Sequence, residues 1–120
     1  MAYKVIHNSV TYTPRLYIGR HMGFNKAFVD LINSKMERPA RAMVMIDEKK
    51  HRLKIRFYSK EDAQSLGNKT FSIVDMNNRL VINLTERRKA YIDKIITKKD
   101  PHYAVELQHD EDGYYMETDL

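Results

Sequence analysis

The segment Arg41–Ser59 reads RAMVMIDEKKHRLKIRFYS, and its pattern decides the fold. From Arg52 onward, Leu53, Ile55 and Phe57 alternate with Arg52, Lys54, Arg56 and Tyr58. Successive side chains of a strand point to opposite faces, so this period of two predicts a half-buried strand with one apolar and one cationic face. Arg41–Asp47 precedes it as a second strand. There Met43 and Met45 oppose Val44 and Ile46, so both faces are apolar, as in a strand covered by a helix or by a second subunit. The charged run Asp47–His51 between them predicts the turn of a hairpin.

The same alternation marks Arg15–Gly19, Thr70–Asp75, Arg79–Leu84, His102–His109 and Tyr114–Asp119 as strands, with Tyr3–Tyr12 as one more. Two stretches switch to spacings of three and four, the signature of an amphipathic helix. In Asn25–Met36 the shared face is Phe28, Leu31, Ile32 and Met36; in Glu86–Lys99 it is Tyr91, Ile92, Ile95 and Ile96. Asn25 and Thr85 are placed to cap these helices. Pro39 and Pro101 follow them, where a missing N–H costs little.

Arg15-Leu-Tyr-Ile followed by Lys26-Ala-Phe-Val-Asp-Leu-Ile matches Arg79-Leu-Val-Ile followed by Lys89-Ala-Tyr-Ile-Asp-Lys-Ile at a spacing of about 63 residues. The fold expected is therefore α+β. A mostly antiparallel curved sheet or barrel is built from a duplicated strand-strand-helix-strand-strand unit, with two helices, in one domain (1–120) whose pseudo-repeats cover about 1–60 and 64–120.

Charge narrows the function classes. Net charge is +5, but it is segregated along the chain. Met1–Lys60 holds 13 Lys/Arg against 4 Asp/Glu, and Pro101–Leu120 holds no Lys/Arg against 6 Asp/Glu. A basic surface of this kind suits a polyanion. The absence of cysteine excludes disulfides and thiolate metal sites and points to a reducing cytoplasm. Met1–Val10 lacks the apolar run of a signal peptide, and no apolar stretch is long enough to span a bilayer, so no membrane role is expected. The five histidines have no metal-ligand spacing, Gly19 and Gly23 form no phosphate-cradling loop, and neither enzymatic activity nor a cofactor is implied.

The expected binding face is the outer side of Arg52–Tyr58. Same-face residues of a strand lie roughly 7 Å apart, a spacing that lets Arg52, Lys54 and Arg56 follow a phosphate backbone. Lys49 and Lys50 extend the charge into the turn, and Arg15 and Arg20 add to it. Tyr17 and Tyr58, each beside an arginine on an outward face, are expected to stack on bases. The alternative for this strand is a solvated outer face whose cations guard an edge. The acidic end, Asp110, Glu111 and Asp112 with Glu117 and Asp119, reads either as a phosphate mimic that covers the basic face or recruits replication or recombination proteins, or as a folded hairpin with an acidic turn.

Between the two helical stretches, Arg41–Ser59, Thr70–Leu84 and Glu86–Lys99 give four strands and then a helix. That order resembles the Whirly and transcriptional-coactivator single-stranded-DNA-binding fold. The small size, basic first half and acidic end are also similar to the small single-stranded DNA-binding proteins of bacteriophages, some with an oligonucleotide-binding barrel. Both resemblances imply single-stranded DNA as ligand; the reading that follows is a homodimer that coats it during DNA replication or recombination in the (host) cytoplasm. Two alternatives stay open: a double-stranded DNA regulator using Arg87, Arg88 and Lys89 of the second helix, and a protein-binding inhibitor whose acidic hairpin mimics nucleic acid.

Overall fold

The computed structural model describes residues 2–3, 13–76 and 78–120; all but the first residue of the expected strand Tyr3–Tyr12 lies outside them. Arg15–Ile18 (β1) and Met22–Phe24 (β2) form a hairpin, and Asn25 then caps Lys26–Asn33 (α1), its side chain accepting the Phe28 N–H. Arg41–Asp47 (β3) and Arg52–Tyr58 (β4) form the second hairpin. Past a 3₁₀ turn at Gly67–Lys69, Phe71–Met76 (β5) and Arg79–Ile82 (β6) form the third. Thr85 caps Glu86–Ile95 (α2) through the Arg88 N–H, and His102–Ala104 (β7), Gln108–Asp110 (β8) and Gly113–Asp119 (β9) complete the order. Among the described residues no helix is long and apolar enough to cross a membrane.

The nine strands form one antiparallel sheet in the order β7-β1-β2-β6-β5-β3-β4-β9-β8. β5 bends the sheet: Phe71 and Ser72 pair with β3, whereas Ile73–Met76 pair with β6. The outermost of the described strands, β7 and β8, follow one another in the chain with only Val105–Leu107 between them. So short a connection reaches at most about 14 Å, so the sheet curls until its edges approach, giving a half-barrel. The expected strand His102–His109 is thus split, and the Val105 N–H at the break donates to the Pro14 carbonyl (3.2 Å). Both helices stop early. Ser34 ends α1 by donating its hydroxyl to the Leu31 carbonyl (2.6 Å), and Ile96 leaves α2 in an extended conformation.

The concave side holds the core. Leu16, Ile18, Met22, Phe24, Leu80 and Ile82 come from one half of the sheet, and Ala42, Leu53, Ile55, Phe57 and Met116 from the other. α1 lies across both halves with Phe28, Val29 and Ile32 buried. Its Phe28 stacks on Phe24 of β2 (ring centroids 4.3 Å) and meets Phe57 of β4 (5.4 Å), while Phe24 and Phe57 touch edge to face (5.4 Å). α2 buries Ile92 and Ile95 only; Tyr91, expected on its core face, is 44% exposed.

The acidic end is a folded hairpin. β9 is an interior strand between β4 and β8, Met116 is fully buried, and the Leu120 N–H donates to the His51 carbonyl (2.7 Å). The duplicated unit is not confirmed. Strand, strand and helix do recur, but Arg15–Ile18 is the first strand of its group and Arg79–Ile82 the second. Lys26 opens α1, whereas Lys89 is the fourth residue of α2.

Phe28 is fully buried at the meeting of both sheet halves, so Phe28→Ala is expected to cost about 3–5 kcal/mol in urea unfolding. Tyr91→Ala, on the exposed face of α2, is expected to cost under about 1 kcal/mol in the same measurement.

Candidate nucleic-acid interface

The outer face of β4 carries its cations where the sequence places them, but it is not bare. β9 pairs antiparallel with β4 so that Asp119 lies opposite Arg52, Glu117 opposite Lys54 and Tyr115 opposite Arg56. Residues directly opposite on one face are close neighbours, and unlike charges there attract. Arg52 donates to Asp119 (2.8 Å) and Glu117 (3.1 Å), and Lys54 lies 3.8 Å from Glu117. Arg56 makes a two-pronged bond to both Asp110 oxygens (2.7 and 2.8 Å) and a third to the Gly113 carbonyl (3.2 Å). Its side chain is only 7% exposed, and both Lys54 and Arg56 rest on the Tyr115 ring.

The expectation of an unopposed cationic ribbon on β4 is therefore corrected. Arg52, Lys54 and Arg56 form a neutral ladder with the acidic end of the chain, and Arg56 is the most buried of the three. Tyr58 is half-buried, with burial pushing its hydroxyl above the usual range. Lys49 and Lys50 are exposed in the β3–β4 turn. Of the expected acidic handle, Asp110 is engaged by Arg56, while Glu111 and Asp112 are exposed at the β8–β9 turn.

A different face gathers the other expected residues. β1 and β6 flank β2 in the same register: Leu16 and Leu80 both oppose Phe24, Tyr17 and Val81 both oppose Gly23, and Ile18 and Ile82 both oppose Met22. The matched Arg-Leu-x-Ile motifs are thus two equivalent strands, with Leu and Ile in the core and the alternate residues outside. Extending the outer row through β7 and β5 gives His102, Tyr17, Gly23, Val81 and Val74 side by side across five strands. Arg15 and Arg79 stand one step away on this face, two strand spacings or about 10 Å apart. Together with His21, Asn25 and Met76 they line a groove of about 850 Å³ that contains no carboxylate among its lining residues.

Local packing fixes the groove. The Asn25 side chain ties the groove end of β1 to the cap of α1, accepting the Arg15 N–H (3.0 Å) and donating to the Thr13 carbonyl (2.9 Å). The Tyr17 ring, 42% exposed, leans along β1 over Gly19, where an added Cβ would lie 2.1 Å from its hydroxyl oxygen. The His102 ring sits tilted 5.4 Å from it. Gly23 leaves the floor beside Tyr17 flat, and Val74 (42%) and Met76 (54%) extend an exposed apolar strip to the far side. Among the described residues neither Arg15, Arg20 nor Arg79 makes an ion pair. Asp100 is a carboxylate beside this end of the groove. It accepts the His102 N–H (2.9 Å), which with His102, Lys98 and Arg15 nearby holds it below its usual range. Arg20 lies in the exposed β1–β2 turn at this end.

Sequence reading found Arg15 and Tyr17 but not Arg79, His21, His102, Val81 or Met76. The signal for Arg79 was present in the repeated Arg-Leu-x-Ile. The others depend on a register across five strands that no local pattern carries.

The Arg56 bond holds the Asp110 carboxyl down from 3.8 to about 2. A depressed carboxyl stabilises the fold fully above its unfolded value and loses that contribution as pH falls through its folded one. Asp110→Asn is therefore expected to lower the melting temperature by roughly 5 °C or more at neutral pH and to remove part of the acid-induced loss between about pH 4 and pH 2. Arg56→Met, which keeps the buried stem and removes the charge, is expected to melt closer to the parent.

Comparison with known proteins finds no family model, curated protein or solved structure that this chain matches, so the groove's own geometry carries the functional argument.

Proposed function

We propose that this chain binds single-stranded nucleic acid, DNA in the first place, with little sequence preference, in the groove on the outer face of β7-β1-β2-β6-β5. The observation that carries the reading is the shared register of Arg15–Ile18 and Arg79–Ile82 on either side of β2. It sets two guanidinium groups that make no ion pair among the described residues beside a flat floor of Tyr17, Gly23 and Val81. Arginines of this kind neutralise phosphates and release counterions whatever the sequence. An exposed tyrosine with a histidine beside it and an apolar strip beyond offers stacking surface to any base. Arg15, Tyr17 and Arg20 keep the roles expected of them, and Arg79, His21 and His102 replace the β4 cations. Coating of unpaired DNA during replication or recombination in the cytoplasm is the setting that fits such a protein.

A major-groove reading of α2 has less support, because Asp93 holds Lys89 and the helix commits Ile92 and Ile95 to the core.

Titrating a fluorescent mixed-sequence single strand at several salt concentrations tests the proposal. Tyr17→Ala is expected to weaken binding by about 1–3 kcal/mol. Arg15→Gln and Arg79→Gln should each flatten the logarithmic salt dependence by about 0.7, and Lys54→Gln should leave it unchanged. Equal or tighter binding of a duplex would transfer the case to a regulator, and no binding at low salt would leave a protein-binding module. Asp100→Asn, which keeps the acceptor for His102 and removes an anion beside the groove, is expected to tighten binding about two- to threefold at low salt and to have no effect at high salt.

A further inference from the structure

α2 carries a second cationic surface that begins where the groove ends. Arg87, Tyr91 and Lys94 follow one another at spacings of four and three, which stacks them on one face of a helix, and all three are exposed. Ile92 and Ile95, each one residue past Tyr91 and Lys94 and so about 100° round the helix, face the core, which sets the stripe on an exposed flank of α2. The helix's own carboxylates do not cancel it: Asp93 is bonded to Lys89, and Glu86 sits in the first turn, where it complements the positive helix end. The carboxylate that touches the stripe from outside is Glu48, which accepts the Tyr91 hydroxyl, and Lys49 and Lys50 follow it, both exposed.

The stripe and the groove are joined. Lys98, just past the end of α2, donates from Nζ to the His102 carbonyl (2.6 Å), and the His102 ring borders the Tyr17 ring. Lys98 also lies over the ring of the buried Tyr103 (4.6 Å) with Asp100 near it, so it stands at the β7 margin, and the chain leads back from it to Lys94, Tyr91 and Arg87. Crossing five strands takes about 19 Å, and the ten residues of α2 rise about 15 Å. If an extended single strand steps at the roughly 7 Å of same-face strand residues, the groove takes about three nucleotides and the helix two or three more.

We infer that a single strand longer than the groove continues over His102 and Lys98 onto the outer face of α2, which makes the helix the second half of one binding path. This rests on the groove reading above.

The test uses mixed-sequence single-stranded oligonucleotides of about 4 and about 12 nucleotides, read by fluorescence anisotropy at several salt concentrations against the parent, Arg87→Gln/Lys94→Gln and Tyr17→Ala. The double variant is expected to bind the long oligonucleotide about tenfold more weakly and with a salt slope lower by about 1.4, while its affinity for the short one is unchanged. Tyr17→Ala is expected to weaken both. Lys98→Gln alone, on the connecting segment, is expected to reproduce the length-dependent loss, and thermal melts of the variants matching the parent exclude unfolding as its cause. Unchanged binding of the long oligonucleotide by the double variant, while Tyr17→Ala still weakens both, overturns the extension and leaves the groove standing. An equal loss on both lengths overturns it too, because the helix would then act only through overall charge. No binding of either length by the parent removes the groove reading and this inference together.

Discussion

The three-ring cluster of Phe28, Phe24 and Phe57 is the contact on which the architecture turns. Phe24 belongs to the half of the sheet that carries the groove, and Phe57 to the half that carries the charge ladder. Among the described residues, backbone strand pairing joins the two halves through the bent strand β5, where two residues pair with β3 and four with β6. Side chains must therefore hold the curvature, and α1 supplies them from one short helix. With the concave side filled in this way, the convex side of β1, β2 and β6 faces solvent, and that is where Arg15 and Arg79 stand, outside any ion pair among the described residues.

The charge distribution follows a division of labour between those halves. Three of the six carboxylates of Pro101–Leu120 are spent on β4: Glu117 and Asp119 on Arg52 and Lys54, Asp110 on Arg56. A directly opposed pair on a sheet surface adds at most about 1 kcal/mol, so register, more than raw stability, is what such a ladder secures. It makes a one-residue slip of β9 costly, because a slip would turn carboxylates into the core and Met116 out to water. The positive excess of the chain then remains on β1, β6, the β3–β4 turn and α2, where the described structure gives it few partners.

Much of this was legible in the residues. Alternation located β1, β3, β4, β5, β6 and β9, and the cap residues Asn25 and Thr85 marked where both helices begin. The unread parts share one cause, which is that they are set by pairing between distant segments. β2 is three residues long with a glycine in the middle, too short for a period to show, and it is a strand because β1 and β6 hold it on both sides. The cations of β4 were read on their own strand, while their neutralisation comes from residues more than fifty positions later. Tyr91 satisfied the helical spacing yet faces solvent, since α2 covers only the width of two isoleucines. The paired Arg-Leu-x-Ile motifs were read as a duplication, and in the fold they mark two strands that flank a third.

The joining of β7 to β8 also governs how the chain reaches this structure. Arg15 must find Ala104, and Arg52 must find Asp119, before either margin of the sheet exists. Ordering loops of that length costs conformational entropy ahead of any return, which places this topology among slow folders, with half-lives of about milliseconds to seconds. Until then the backbone donors and acceptors of β1 and β4 lie open along one side, and a polyanion meeting the chain in that interval would compete with its own C-terminal carboxylates for the guanidinium groups of β4.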